Sequence, residues 1–274
     1  MIFTLLSCFN SKEEATEWLS VDEVSAAIEA ASEGLLRVNP ILMHNGWTRS
    51  MSTLSDENCP PMEEHNGMDL WRESCTTEDG HQFLGWSLNF RGQNIPTDCC
   101  ILDDFYWLSG QAQIINADGT LLQNFGDILH QQGQDNDGNP VIQGFTYGDF
   151  YWDDPQAENS WLLSELSMEY YYTFTQKDDF ETIDIQAWIS GFDPIYTAAI
   201  FDSIVFNTKE CAQEPLEGEL WVRDSPGLWY QVLYDGSDNC DGCGSVFHGE
   251  IELGQTCTNF DVWFDWDEYP WEDK

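Results

Sequence analysis

The chain has 274 residues, of which 50 are Asp or Glu and 9 are Lys or Arg, giving a formal net charge of -41 at pH 7. That charge repels the phosphates of nucleic acid and the anionic headgroups of a membrane surface, and so excludes a nucleic-acid binder. Aromatic residues are 14% of the chain, with 13 Trp and 16 Phe, more apolar surface than a disordered polymer carries, so a folded body with an acidic surface is expected.

Read from the N-terminus, Leu5-Leu6-Ser7-Cys8 has the form of a bacterial lipobox, an apolar residue, a tolerant position, a small residue and then the cysteine that receives lipid. Residues 1–8 are read as a truncated or atypical lipoprotein signal ending at Cys8. The seven residues before Cys8 hold no Lys or Arg, whereas an export signal has a charged start and a longer apolar run, so a translation start further upstream is expected. Polar residues 9–20 read as a tether to a domain over 21–274. Ser20 and Glu23 form a capping box, and Val21, Val24, Ile28, Ala31 and Leu35 recur at helical spacing, which predicts an amphipathic helix over 21–36 covering a sheet.

From about residue 40 the period changes to two. Leu166, Met168, Tyr170, Tyr172 and Phe174 alternate with polar residues, as do Ile183, Ile185, Ala187 and Ile189, then Leu228, Tyr230, Val232 and Tyr234, then Phe260, Val262, Phe264 and Trp266. Asn116-Ala117-Asp118-Gly119 separates two apolar runs and predicts a hairpin, because Gly and Asn tolerate the positive φ of a tight turn. Asp104-Phe105-Tyr106-Trp107 is echoed by Asp149-Phe150-Tyr151-Trp152, two copies where a repeat architecture needs at least three, so coincidence or local duplication is the reading. Residues 132–140 and 235–244 read as exposed turns, and 208–218 as a weakly marked boundary. The predicted fold is mainly β: an antiparallel sandwich, a barrel or a large curved sheet, with one N-terminal amphipathic helix and disulfides.

The chain has nine cysteines, and setting Cys8 aside leaves Cys59, Cys75, Cys99, Cys100, Cys211, Cys240, Cys243 and Cys257 for up to four disulfides. Cys99 and Cys100, adjacent on an extended strand, point to opposite faces and need different partners. Spacing leaves the connectivity open. Cysteine usage of this kind indicates an oxidising compartment. The rival is a cytosolic zinc protein using Cys240, Cys243 and Cys257 beside His248, but the last spacing is too long for a zinc knuckle, and the acidity opposes the nucleic-acid role that knuckles serve.

Asp135, Asp137 and Asn139 supply oxygen ligands of the kind Ca2+ takes, though without the EF-hand pattern; a solvated turn is the simpler reading and no cofactor is required. Signatures of nucleophile elbows, zinc proteases, phosphate loops and dinucleotide sites are missing, so an enzyme is the less favoured reading, while a carboxylate pair for glycoside hydrolysis is open. Trp263, Tyr269 and Trp271 form the aromatic cluster that could stack on a sugar, with alternation placing Trp263 outward and Trp266 inward.

Glu214-Pro215, Gly218, Arg223-Asp224, Trp229-Tyr230 and the run from Cys240 to Cys257, together with Cys59-Pro60, Trp71, Cys75-Thr76 and Asp79-Gly80, resemble exported lipoproteins of myxobacteria and related deltaproteobacteria. The resemblance covers the body after the tether and implies a compartment rather than an activity; Phe9 after the lipobox cysteine implies delivery to the outer membrane. The sequence thus leads to an extracytoplasmic protein at the outer membrane or cell surface of a Gram-negative bacterium, membrane-tethered by lipid on Cys8. Its expected role is binding or structural, toward a glycan or protein ligand, and the alternative is a secreted glycan-binding or glycan-cleaving protein.

Overall fold

Ser20 and Glu23 close the N-terminus of helix α1 (Val21–Arg37) as the sequence predicts. The Ser20 backbone N–H and hydroxyl both donate to Glu23 Oε2 at 2.7 Å, and the Glu23 N–H donates back to Ser20 Oγ at 3.3 Å, satisfying donors that a helix start leaves unpaired. These bonds hold the Glu23 carboxyl below its ordinary pKa. The computed structural model describes residues 18–37, 47, 48, 50, 51, 54, 59–96, 101–119, 121–135, 137–153, 162–177, 180–192, 196–211, 213–236, 240–260 and 263.

The strands are β1 (Met62–His65), β2 (Met68–Trp71), β3 (Cys75–Thr76), β4 (Gln82–Pro96), β5 (Ile101–Ile115), β6 (Leu121–Gln134), β7 (Pro140–Asp153), β8 (Leu162–Lys177), β9 (Phe180–Ser190), β10 (Tyr196–Asn207), β11 (Glu217–Asp224), β12 (Trp229–Tyr234), β13 (Cys243–His248) and β14 (Ile251–Cys257). They form one antiparallel 14-stranded sheet in which neighbours in space are neighbours in sequence, apart from β3, which pairs with β4 beside β2. Of the three predicted architectures, the molecule takes the single large sheet, not closed into a barrel. Short antiparallel connections make this the simplest path for the chain. Residues 116–119 turn β5 into β6, with the Gly119 N–H donating to the Asn116 carbonyl at 2.8 Å and Gly119 at φ 91°. Strand β6 runs to Gln134, so the predicted turn at 132–140 is shorter than expected. The sheet continues from β10 to β11 across residues 208–218.

Alternation decides which face is buried. Leu166, Met168, Tyr170, Tyr172 and Phe174 of β8 and Ile183, Ile185, Ala187 and Ile189 of β9 all point to one face and are buried. Helix α1 covers that face with Val24, Ala27, Ile28, Ala31 and Leu35. It lies across the strands: Ser25 Oγ donates to the Cys257 carbonyl at 3.0 Å at one end, while an added Cβ on Gly34 would come within 2.9 Å of Ile189 at the other. That approach explains a glycine inside a helix, where its backbone entropy is unfavourable. The lead-in is docked as well, with the Trp18 ring 5.2 Å from His248 and the Leu19 N–H on Tyr230 Oη at 3.1 Å, so residues 18–20 belong to the body rather than to the predicted tether.

Over β4–β7 polar residues join the apolar ones on the inner face. Ser87, Asn89, Asn124 and Thr146 are buried there, and Ser87 Oγ, both Asn124 amide atoms and Thr146 Oγ1 meet no hydrogen-bond partner among the described residues. Disulfides Cys59–Cys75, Cys211–Cys240 and Cys243–Cys257 staple the first strands, the connection after β10 and the last hairpin, respectively.

Candidate functional site

The side of the sheet turned away from α1 carries its own pattern. Between the buried residues of β8 lie Glu169, Tyr171 and Thr173; between those of β9 lie Asp184, Gln186 and Trp188. On such an outer face polar side chains are expected. Here Trp86 (39% exposed), Phe125 (38%), Tyr147 (53%), Tyr171 (44%) and Trp188 (39%) instead present large rings to solvent. Side chains at these positions project outward because their sequence neighbours Ser87, Asn124, Thr146, Tyr172 and Ala187 are buried.

The rings are held by one another and by hydrogen bonds. Phe145 stacks on Tyr147 with centroids 6.4 Å apart and tilts against Tyr171 at 4.7 Å. The Tyr171 hydroxyl donates to Glu169 Oε1 at 3.2 Å, and partial burial with the nearby Glu169 raises its pKa. Trp221 Nε1 donates to Glu219 Oε2 at 3.2 Å. Amide ladders flank the rings: Gln113 Nε2 donates to Gln123 Oε1 at 2.8 Å and Gln131 Nε2 to Gln143 Oε1 at 2.6 Å.

Three shallow troughs join on this face. The largest, about 690 Å³, is lined by Gln111, Phe125, Tyr147, Asp149, Glu169 and Trp188. The second, about 260 Å³, shares Glu169 and Trp188 and adds Tyr171, Gln186 and Asp202. The third, about 550 Å³, shares Tyr171 and Gln186 and runs to Asp184 and Glu217, where burial and the Glu217 charge raise the Asp184 pKa. Flat ring faces, amides and carboxylates in one surface are the groups that stack on pyranose rings and bond their hydroxyls.

No family model, curated protein or solved structure matches the chain.

Sequence reasoning placed the aromatic site elsewhere. Trp263 is fully buried against Tyr170 and Phe201, with centroids 6.3 and 6.1 Å away, so it is a core residue and cannot stack on a sugar. Strand β14 ends at Cys257, so the alternation assumed from Phe260 onward does not hold; Phe260 and Trp263, three apart, both turn inward across a bond from the Trp263 N–H to the Phe260 carbonyl at 2.9 Å. Tyr269, Trp271, Cys8, Cys99 and Cys100 lie outside the described residues.

Asp135 closes its own turn. Oδ1 accepts from the Asp137 and Asn139 N–H groups at 2.9 and 2.8 Å, and Oδ2 from Asn139 Nδ2 at 2.8 Å, which holds the carboxyl below its ordinary pKa. Those three bonds leave one lone-pair direction of the carboxylate, on Oδ2, for a Ca2+ ion. Likewise Cys240, Cys243 and Cys257 are all disulfide-bonded, so a zinc site on them would require reduction. His248 Nδ1 lies 2.9 Å from the Trp229 carbonyl as part of the docking surface for Trp18. Among the described residues no group of three His, Cys, Asp or Glu side chains is placed to hold a metal ion.

Proposed function

We propose that this protein binds saccharide with the outer face of its sheet and does so outside the cytoplasm. The observation that carries the reading is the set of exposed rings on β4 and β6–β9, interleaved with amides and carboxylates, on the sheet face turned away from α1. An apolar surface of this extent on a soluble protein serves recognition. A sheet anchored by core packing on its other face is a rigid support, so the rings are positioned before the ligand arrives. Three disulfides are consistent with an oxidising, extracytoplasmic compartment. Attachment by lipid on Cys8 and delivery to the outer membrane belong to the same proposal; the first rests on the Leu5–Cys8 motif and the second on Phe9 after it.

The test is binding of the purified protein to a panel of immobilised glycans, with Trp188→Ala compared with wild type. At least a tenfold loss of affinity is expected, in line with the more than ~1.4 kcal/mol that a central aromatic contributes to an interface. Unchanged far-UV circular dichroism would exclude misfolding as the cause. Equal binding by both proteins would remove the outer face from the site, and capture of a protein but no glycan would move the reading to a protein partner.

A second reading, glycan cleavage, is favoured by one observation: Asp184, with its raised pKa, shares a trough with Glu217, as a general acid beside a second carboxylate would. Release of reducing ends by wild type and its loss in Asp184→Asn would establish it.

A further inference from the structure

We propose that the ligand is a single extended β-1,4-linked polysaccharide chain, neutral or amino-bearing, that crosses the strands with one disaccharide repeat for every two strands. The proposal rests on the saccharide reading above and adds linkage, direction and charge. It comes from the register. Tyr147 on β7 is paired with Glu169, Glu169 with Trp188 on β9, and Trp188 with Ile200. Ile200 is paired in turn with Trp221 on β11, Trp221 with Gln231, and Gln231 with Phe247 on β13. A line drawn straight across the sheet therefore meets a ring on every second strand.

All four rings project to the same side, since the flanking Thr146, Ala187, Leu220, Val222 and Val246 are buried. Strands lie about 4.8 Å apart, so consecutive rings are about 9.6 Å apart. An extended β-1,4-linked hexopyranose chain turns each sugar over relative to the last, so that every second sugar offers the same face, at a repeat close to that distance. An α-1,4-linked chain coils and falls out of step. The positions between rings suit the intervening sugar: Glu169 and Gln231 offer hydrogen bonds to its hydroxyls, and Ile200 offers an apolar patch.

Two further properties follow from the sheet. Its twist rotates neighbouring strands by about 20°, so successive rings are turned by about 40° and cannot all meet a flat crystalline surface; a free chain, which can twist, can follow them. The face also carries Asp127, Asp149, Glu169, Asp202 and Glu219 in a protein of net charge -41. Uronate, sulfate or phosphate on the ligand would be repelled, and an amino group would be attracted.

The experiment is titration of tryptophan fluorescence, confirmed by calorimetry, with soluble β-1,4-linked gluco-oligosaccharides of two, four and six sugars and the matching glucosamine series. Maltohexaose and polygalacturonate serve as the α-linked and anionic controls. Affinity is expected to rise about tenfold with each added disaccharide as another ring engages. Trp188→Ala and Trp221→Ala should each weaken the hexasaccharide at least tenfold while leaving the disaccharide within threefold, and the Trp→Phe variants should recover most of the loss. Stronger binding of the glucosamine series would identify the amino-bearing form, and equal or stronger binding of the gluco series the neutral one. Binding that is independent of length, or that prefers maltohexaose, polygalacturonate or a crystalline glycan, would overturn this inference and leave saccharide binding standing. Binding to no saccharide on a broad panel would overturn both.

Discussion

Burial sets how His130 titrates. It sits on the inner face of β6 with Nδ1 2.7 Å from Tyr172 Oη and the Tyr106 ring 6.1 Å away, wholly removed from solvent. Desolvation lowers its pKa from 6.5 to about 4, against the opposing pull of Asp104, and pushes the Tyr172 hydroxyl upward. Between those two pH values the unfolded chain binds a proton that the folded chain does not. The stability supplied by the neutral ring is therefore complete above pH 6.5 and is lost as pH falls toward 4, by about 3 kcal/mol in all. Carboxylates titrate in the same range, so the measurement is a difference: urea unfolding of wild type and His130→Gln at pH 7.5, 5.5 and 4.5. The variant is expected to be less stable than wild type at pH 7.5 and to lose less on acidification. Parallel stability curves for the two proteins would show that His130 is not the titrating group.

At the scale of elements, the Cys243–Cys257 disulfide joins directly paired residues of β13 and β14, the hairpin on which the start of α1 rests through Ser25 and through the Asn259 N–H bond to Glu29 at 3.1 Å. The bond closes a loop with a sequence separation of 14, and by loop-closure entropy Cys243→Ser with Cys257→Ser should cost about 3 kcal/mol, seen as a lower denaturant midpoint. An unchanged midpoint would mean that packing of α1 alone secures the hairpin. Where the inward side of a strand is a regular run of apolar residues, as in β8 and β9, the sequence showed both the strand and its buried side, and the α1 cap was equally readable. The outer rings were not legible for the same physical reason in reverse. Phe105, Tyr106, Trp107 and Leu108 carry large apolar groups to both faces, which erases the period of two that marks a half-buried strand. Their two-sided apolar character was itself the available signal, since it implies something to be covered on each side. The Asp-Phe-Tyr-Trp echo illustrates the point: Tyr106 is the buried member in β5 but Phe150 in β7, so the two copies face opposite ways and share no role. Inner-face Ser87, Asn124 and Thr146 escaped prediction because polar residues are ordinarily assigned to the solvent side.

For the whole molecule the governing quantity is the charge of -41, set against ion pairs such as Arg72–Glu63 at 3.8 Å and Arg91–Asp104 at 3.7 Å, which are solvent-accessible and contribute little. Carboxylates outnumber cations so far that mutual repulsion must oppose folding, and an open sheet, with its strands displayed side by side, cannot move them far apart. Repulsion of this kind is long-ranged and is progressively screened as the Debye length shrinks from about 30 Å at 0.01 M salt to about 8 Å at 0.15 M. The melting temperature should therefore climb steeply with NaCl at low ionic strength and level off near physiological salt. Calcium separates general screening from a specific site. If the acidity is only a solubilising surface, CaCl2 and NaCl matched in ionic strength give melting temperatures within a degree or two of each other, and Asp135→Asn leaves the difference unchanged. If the Asp135–Asn139 turn opens to coordinate Ca2+ through Asp135, Asp137 and Asn139, millimolar Ca2+ adds a saturable increment that Asp135→Asn abolishes. With both Asp135 oxygens already accepting hydrogen bonds from Asp137 and Asn139, the first outcome is the one the geometry supports.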